Sequence, residues 1–308
     1  MRYQIRHRTT YQYDQDVSLS HHLARLTPAH SATQRCLRHE LRTLPAEATR
    51  SEHLDHFGNA STFLTIEGPH RQLEITASSL VEIAPGGAPG TKESPGWEEV
   101  RDSFRAEPLD VAPEVVEFTF ASPLVPLRSE FGAYAAGSFA PGRPVLDGVR
   151  DLASRIHRDF TFDSKATHVA TPVGEFFKAR RGVCQDFAHL MIAGLRSLGL
   201  AARYVSGYLE TLPPEGQTKL IGADASHAWV AIWAGAAGWV DVDPTNDVLP
   251  SDRHITVALG RDFSDVSPVR GVILGSGAHR LSVAVDVIPV TVGERSPAGA
   301  SDRLDAPK

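Results

Sequence analysis

The chain of 308 residues carries 31 Lys and Arg against 37 Asp and Glu, for a net charge of −6, with 42% hydrophobic and 22% charged residues. The length suits about two domains. The acidic balance and lack of a basic run argue against a nucleic-acid partner or a polybasic membrane surface, and the composition excludes wholesale disorder.

The N-terminus, with Arg2, Arg6 and Arg8, has no apolar stretch of signal-peptide length, and no window approaches the roughly 18 apolar residues of a membrane helix. A cytoplasmic location and no membrane partner are therefore expected. Two cysteines, Cys36 and Cys184, cannot build a disulfide framework and are expected as free thiols.

Residues 1–90 read as an N-terminal β domain, because YQIRH, QRCLRHELRTL, STFLTIE and RQLEITASSLVEI alternate or carry β-branched residues between turn signals. The Pro- and Gly-rich run 85–96 marks a boundary. Residues 91–144 form a mixed connecting segment, with short helices near 97–105 and 112–120. From 145 the pattern turns helical: Leu146, Val149, Leu152, Ala153 and Ile156 form one stripe. A short helix starts at Thr171-Pro172 and ends with Gly182 as its left-handed cap. A third helix runs from about Cys184 to Leu198, with Phe187, Leu190, Met191, Leu195 and Leu198 on one face and Gly199 as its stop. The period then switches to two in AARYVSGYLE, SHAWVAIW, GWVDVDP, ITVAL, GVILG and RLSVAVDVIPV, so strands complete a core spanning 145–295. A disordered tail is expected over 296–308.

A thiol at a helix N-terminus faces the positive end of the helix dipole, which favours thiolate at Cys184. Arg180 and Arg181 push the same way and Asp186 pushes against. His189 lies about 140° around the helix from Cys184 and is read as a packing histidine. His227 shares strand parity with Trp229 and Trp233, and the turn AGAAG predicts a hairpin into GWVDVDP. If Trp233 pairs with Ala237, His227 faces Asp243 directly, close enough for the carboxylate to hold the imidazole; Asp241, of the same parity, is the fallback. A base held by an acid beside a cysteine at a helix start is the arrangement nucleophilic catalysis needs.

The runs Gly182-Val183-Cys184-Gln185-Asp186-Phe187-Ala188-His189-Leu190, Ala202-Arg203-Tyr204-Val205-Ser206-Gly207-Tyr208, Ser226-His227-Ala228-Trp229 and Asp241-Val242-Asp243-Pro244-Thr245-Asn246 resemble the bacterial transglutaminase-like family, as does Gly260-Arg261-Asp262-Phe263-Ser264-Asp265-Val266. The resemblance covers nearly the whole chain. It implies an α+β fold in which the N-terminal β domain precedes a papain- and transglutaminase-like core of helices on an antiparallel sheet. It also implies Cys184 as nucleophile, His227 as general base and acid, and Asp243 as orienting carboxylate, with the oxyanion met by the Cys184 N–H and a second donor for which Gln185 is one option.

The function expected is thiol-dependent acyl transfer, first as hydrolysis of peptide or isopeptide amides in a peptide or protein substrate. The alternatives are protein-glutamine γ-glutamyl transfer and a noncatalytic peptide-binding module. No cofactor is expected. No calcium-loop spacing, CxxC or nucleotide loop occurs, and the adjacent His21 and His22 do not have helical ligand spacing, so no metal is expected either.

Overall fold

The computed structural model describes residues 1–84, 94–105, 111–211, 226–275 and 277–290. Four strands open the chain: β1 (Arg2–Ala24), β2 (Gln34–Leu44), β3 (Thr49–Leu54) and β4 (Ala60–Ile83). The long β1 and β4 run antiparallel, with an irregularity between Gln12 and Val17. Alternate residues face inward, as period-two patterning demands, and Val17, Leu64, Ile66, Leu73 and Ile75 form a core of their own. The sheet is completed from the other end of the chain. β11 (Val269–Leu274) and β12 (His279–Pro289) both pair with β1. The sequence pattern marks these two as strands and groups them with the core that starts at residue 145; their hydrogen bonds go to the N-terminal sheet.

The connecting segment holds α1 (Trp97–Ser103), α2 (Pro113–Val116) and α3 (Ser129–Ala136), the last without a sequence expectation. Helix α4 (Val145–Asp159) buries Leu146, Val149, Leu152, Ala153 and Ile156 along its apolar stripe. Helix α5 (Val173–Ala179) ends in Arg180, the residue with positive φ (58°), and not in Gly182. Gly182 is required for a different reason: a Cβ there would collide with the Asp186 carboxylate and approach Phe176 Cδ2 at 2.6 Å. It lies in the two-residue strand β6 (Arg181–Gly182), parallel to β5 (Thr161–Phe162).

Helix α6 (Cys184–Ser197) is buried from Gln185 to Arg196 and stops before Gly199, whose φ is +83°. It packs on a four-stranded antiparallel sheet ordered β10-β7-β8-β9, made of β7 (Ala202–Leu209), β8 (Ser226–Trp233), β9 (Trp239–Val242) and β10 (His254–Gly260). Tyr204, Ala228, Val230, Ile232, Val242 and Ile255 join Phe187, Leu190 and Met191 of the helix in one core. Trp229 and Val205 pack together in a separate cluster. Helix α7 (Phe263–Val266) follows β10. Among the described residues, no helix is long and apolar enough to cross a membrane.

Candidate active site

Cys184 is the first residue of α6, where the helix's leading N–H groups lack carbonyl partners one turn back. The cap is built by Asp186, whose Oδ2 accepts from the Val183 N–H (2.8 Å) and the Thr167 hydroxyl (2.6 Å). Burial pushes the Asp186 carboxyl up against these bonds. Gln185 donates through its side-chain amide to the Val169 carbonyl at 2.9 Å, so it anchors the 163–172 loop beside the thiol. The neighbouring cations are also committed: Arg180 stacks 4.4 Å from Phe160, and Arg181 pairs with Asp163 at 2.8 Å.

His227, near the start of β8, lies close enough to the Cys184 side chain for the thiol to raise its pKa. Its Nε2 lies 2.7 Å from Asp243 Oδ2, which leaves Nδ1 as the nitrogen for the thiol. The hairpin that brings this about differs from the sequence expectation. Trp233 pairs with Trp239, not Ala237, because residues 234–238 form a five-residue turn with positive φ at Gly235 and Gly238. The register moves by two residues. Parity survives a shift of two, so Asp243 stays on the His227 face and reaches it diagonally. The β9 ladder ends at Val242, and Asp243 is fixed by a bridge to Val248. Asp241, the fallback acid, instead accepts from Trp229 Nε1 at 3.0 Å.

Asp243 is fully buried, and each of its contacts is a hydrogen-bond donor or a histidine. Oδ1 accepts the backbone N–H groups of Thr245 (2.9 Å) and Asn246 (3.2 Å) in the turn that Asp-Pro-Thr-Asn forms. Oδ2 meets the Asn246 amide (2.7 Å), His227 and the Nε2 of His254 (3.1 Å). Burial pushes the Asp243 carboxyl up, but the bonds from His227, His254 and Asn246 outweigh it and hold the group well below the usual carboxylate range. Burial likewise pushes His227 down, but hydrogen bonds and charges of Asp243 and Cys184 raise it to about 10.

Sequence reasoning missed His254, which sits on β10 and depends on the long-range pairing of β10 with β7. Asn246 was visible only as the last residue of the Asp241–Asn246 run that carries the family resemblance. His189 is buried, with Nε2 accepting the Phe263 N–H at 3.2 Å, in keeping with a packing role. Cys36 lies at an irregularity in β2, donates to the Arg38 carbonyl at 3.4 Å, and has its thiol pushed up by burial. The donor atoms of His227, Asp243 and His254 lie within 4.8 Å of one another, a spacing a metal could use. The two imidazole nitrogens are aimed at one carboxylate oxygen, the geometry of a hydrogen-bonded network.

A thiol on a helix N-terminus, an imidazole with one nitrogen toward it, and a buried carboxylate on the other nitrogen can generate a nucleophile and move its proton. Residues 3–82 match the bacterial transglutaminase-like N-terminal region and residues 133–244 match the transglutaminase-like superfamily core. An uncharacterized protein of Mycobacterium tuberculosis H37Rv is 44% identical over 297 residues, covering 94% of this chain and 93% of that one. A protein-glutamine gamma-glutamyltransferase of Pseudomonas aeruginosa is 38% identical over 124 residues, 37% of this chain and 19% of that protein. The crystal structure of a candidate cysteine protease from Cytophaga hutchinsonii superposes with a TM-score of 0.72 at 20% identity, covering 94% of this chain and 92% of that one. The chain belongs to the bacterial transglutaminase-like family and is, at that level, a thiol-dependent enzyme.

Proposed function

We propose that the protein is an acyl-transfer enzyme in which Cys184 is the nucleophile, His227 the general base and acid, and Asp243 the orienting acid, acting first as a hydrolase of peptide or isopeptide amides. The observation that carries this reading is the 2.7 Å contact of Asp243 with His227 Nε2, which turns the other ring nitrogen to a thiol at a helix start. His227 takes the thiol proton, the thiolate adds to the amide carbonyl, and the imidazolium returns that proton to the leaving amine as the C–N bond breaks. Water then adds to the thioester, giving its proton to His227, and the acid leaves as Cys184 regains a proton. Backbone N–H groups at the start of α6 face the developing oxyanion. Exposed Phe162, paired with Gly182, and Val169, tied to Gln185, offer apolar surface beside the thiol for a peptide.

Transamidation is the second reading, favoured by the match to the Pseudomonas aeruginosa transferase. The experiment is incubation of the full chain with a glutamine peptide and an isopeptide substrate, with and without a primary amine, read by mass spectrometry. Hydrolysed products, with a transient acyl adduct on Cys184, are expected. An amine conjugate as main product moves the reading to transfer, and turnover that persists in Cys184→Ala overturns both. Retained peptide binding with no turnover or adduct in the wild type makes the chain a binding module.

A further inference from the structure

We propose that His254 is a positioning residue of this site: as the Nε2–H tautomer it donates to Asp243 Oδ2 and holds the carboxylate in the orientation that serves His227. This rests on the function proposed above and names a residue outside the triad. Asp243 is fully buried and receives the Thr245 and Asn246 N–H groups on Oδ1 and the Asn246 amide on Oδ2. A carboxylate so surrounded is ionised, and an ionised carboxylate has only acceptors to offer. Both imidazoles that reach Oδ2 must therefore present N–H at Nε2. For His227 that leaves Nδ1 as the nitrogen that takes and returns the thiol proton, as a general base and acid must. For His254 it leaves Nδ1 as an acceptor.

The surroundings of His254 argue against a mere packing role. The residue is 9% exposed, and Nδ1 is buried without a partner among the described residues, a polar cost that an aliphatic side chain would avoid. Its single side-chain hydrogen bond among the described residues is the one to Asp243. Trp229 packs edge-on against the ring at 5.2 Å and fixes its plane. β10 comes close enough because its neighbour on β7 is Gly207, where a Cβ would collide with the Ile255 carbonyl and the Trp229 ring. Gly207 pairs with His227 on one side and with Thr256, two residues from His254, on the other.

His254 also lines a cavity of about 330 Å³ whose walls come from both sheets. The charged and titratable groups around His254 are His227 on β8, Asp243 and Asp241 beside β9, Arg203 on β7, and Asp252 and His30 in the cavity wall.

The test uses the full chain with His254→Leu, which removes the donor, and His254→Gln, whose amide reaches the same point with an N–H. The readouts are the pH dependence of Cys184 alkylation by iodoacetamide and kcat and KM on a peptide ester. His254→Leu should lower kcat about 10- to 100-fold with KM nearly unchanged and slow Cys184 alkylation by a similar factor; His254→Gln should recover most of both. A His254→Leu profile that overlays the wild type overturns the proposal, as does a folded His254→Gln as impaired as His254→Leu. Nitrogen NMR of labelled histidine in the wild type, assigned with His254→Gln, covers a His254→Leu that fails to fold. An Nε2–H tautomer supports the role and an Nδ1–H tautomer contradicts it. An inert wild-type Cys184 would instead sink the proposed function, and the tautomer would still report on the hydrogen bond.

Discussion

Asp243 reaches its hydrogen-bonding limit through five groups drawn from three segments: His227 on β8, the 245–246 turn, and His254 on β10. Replacing it with Asn puts an amide where donors already converge and favours the wrong imidazole tautomer. Turnover should fall roughly 10²- to 10⁴-fold in Asp243→Asn, less than in Cys184→Ala, as steady-state kinetics on one substrate would show. Equal activity in Asp243→Asn would remove the orienting role. The pH sign also follows. His227 is raised from 6.5 to about 10, so its contribution to folded stability is complete below about 6.5 and is lost as pH rises through 10. The His227→Gln variant should therefore melt closer to the wild type at pH 10.5 than at pH 6; an unchanged gap would contradict the imidazolium assignment. The identity of these side chains was legible in the sequence because helix start and strand parity are local signals. The register was not, since AGAAG closes a turn of either length and only the positive φ of Gly235 and Gly238 selects the longer one.

At the scale of elements, the thiol's placement depends on the few residues that join α5 to α6. Arg180 in the left-handed region ends one helix, β5 and β6 pair in parallel, and the chain turns into α6 against the Asp186 cap. Gly182→Ala forces a Cβ into the Asp186 carboxylate and the Phe176 ring. It should cost about 1–3 kcal/mol of stability and slow Cys184 alkylation, measured by thermal melting and timed labelling. A melt and labelling rate equal to the wild type would show that the cap is not what fixes the thiol. A glycine here was visible in the sequence, but as a left-handed cap; close approach of side chains from two helices cannot be read from spacing. Helices α4 and α6 were legible because their apolar stripes run for three or more turns. Helix α3, with eight residues and no such stripe, was not.

Across the whole molecule, the first and last strands share one sheet, so the N-terminal β domain is closed by the C-terminal residues. Period-two patterning identifies strands but carries no address, which is why β11 and β12 read as part of the core. The same sheet buries histidines that must stay neutral. Burial pushes His7 and His22 down to about 4 from 6.5, with His70 and His21 adding to the effect at His22. The unfolded chain takes up these protons first, so stability is full above about pH 6.5 and is lost as pH falls toward 4. Both ring nitrogens of His22 are buried without partners among the described residues. His22→Leu should therefore stabilise the fold more at pH 5 than at pH 7.5, by about 1 kcal/mol or more. A destabilised variant at both pH values would show that His22 has a bond that the burial argument omits.

The central claim is that Cys184 is the activated thiol. Limiting iodoacetamide on the folded full chain at pH 6.5, followed by peptide mapping of both cysteines, tests it most directly. Cys36 is held back by burial and lacks a base, whereas Cys184 has His227 and a helix N-terminus. Labelling confined to Cys184, and lost in His227→Ala, is the expected result. Preferential labelling of Cys36, or Cys184 labelling indifferent to His227, would contradict the account.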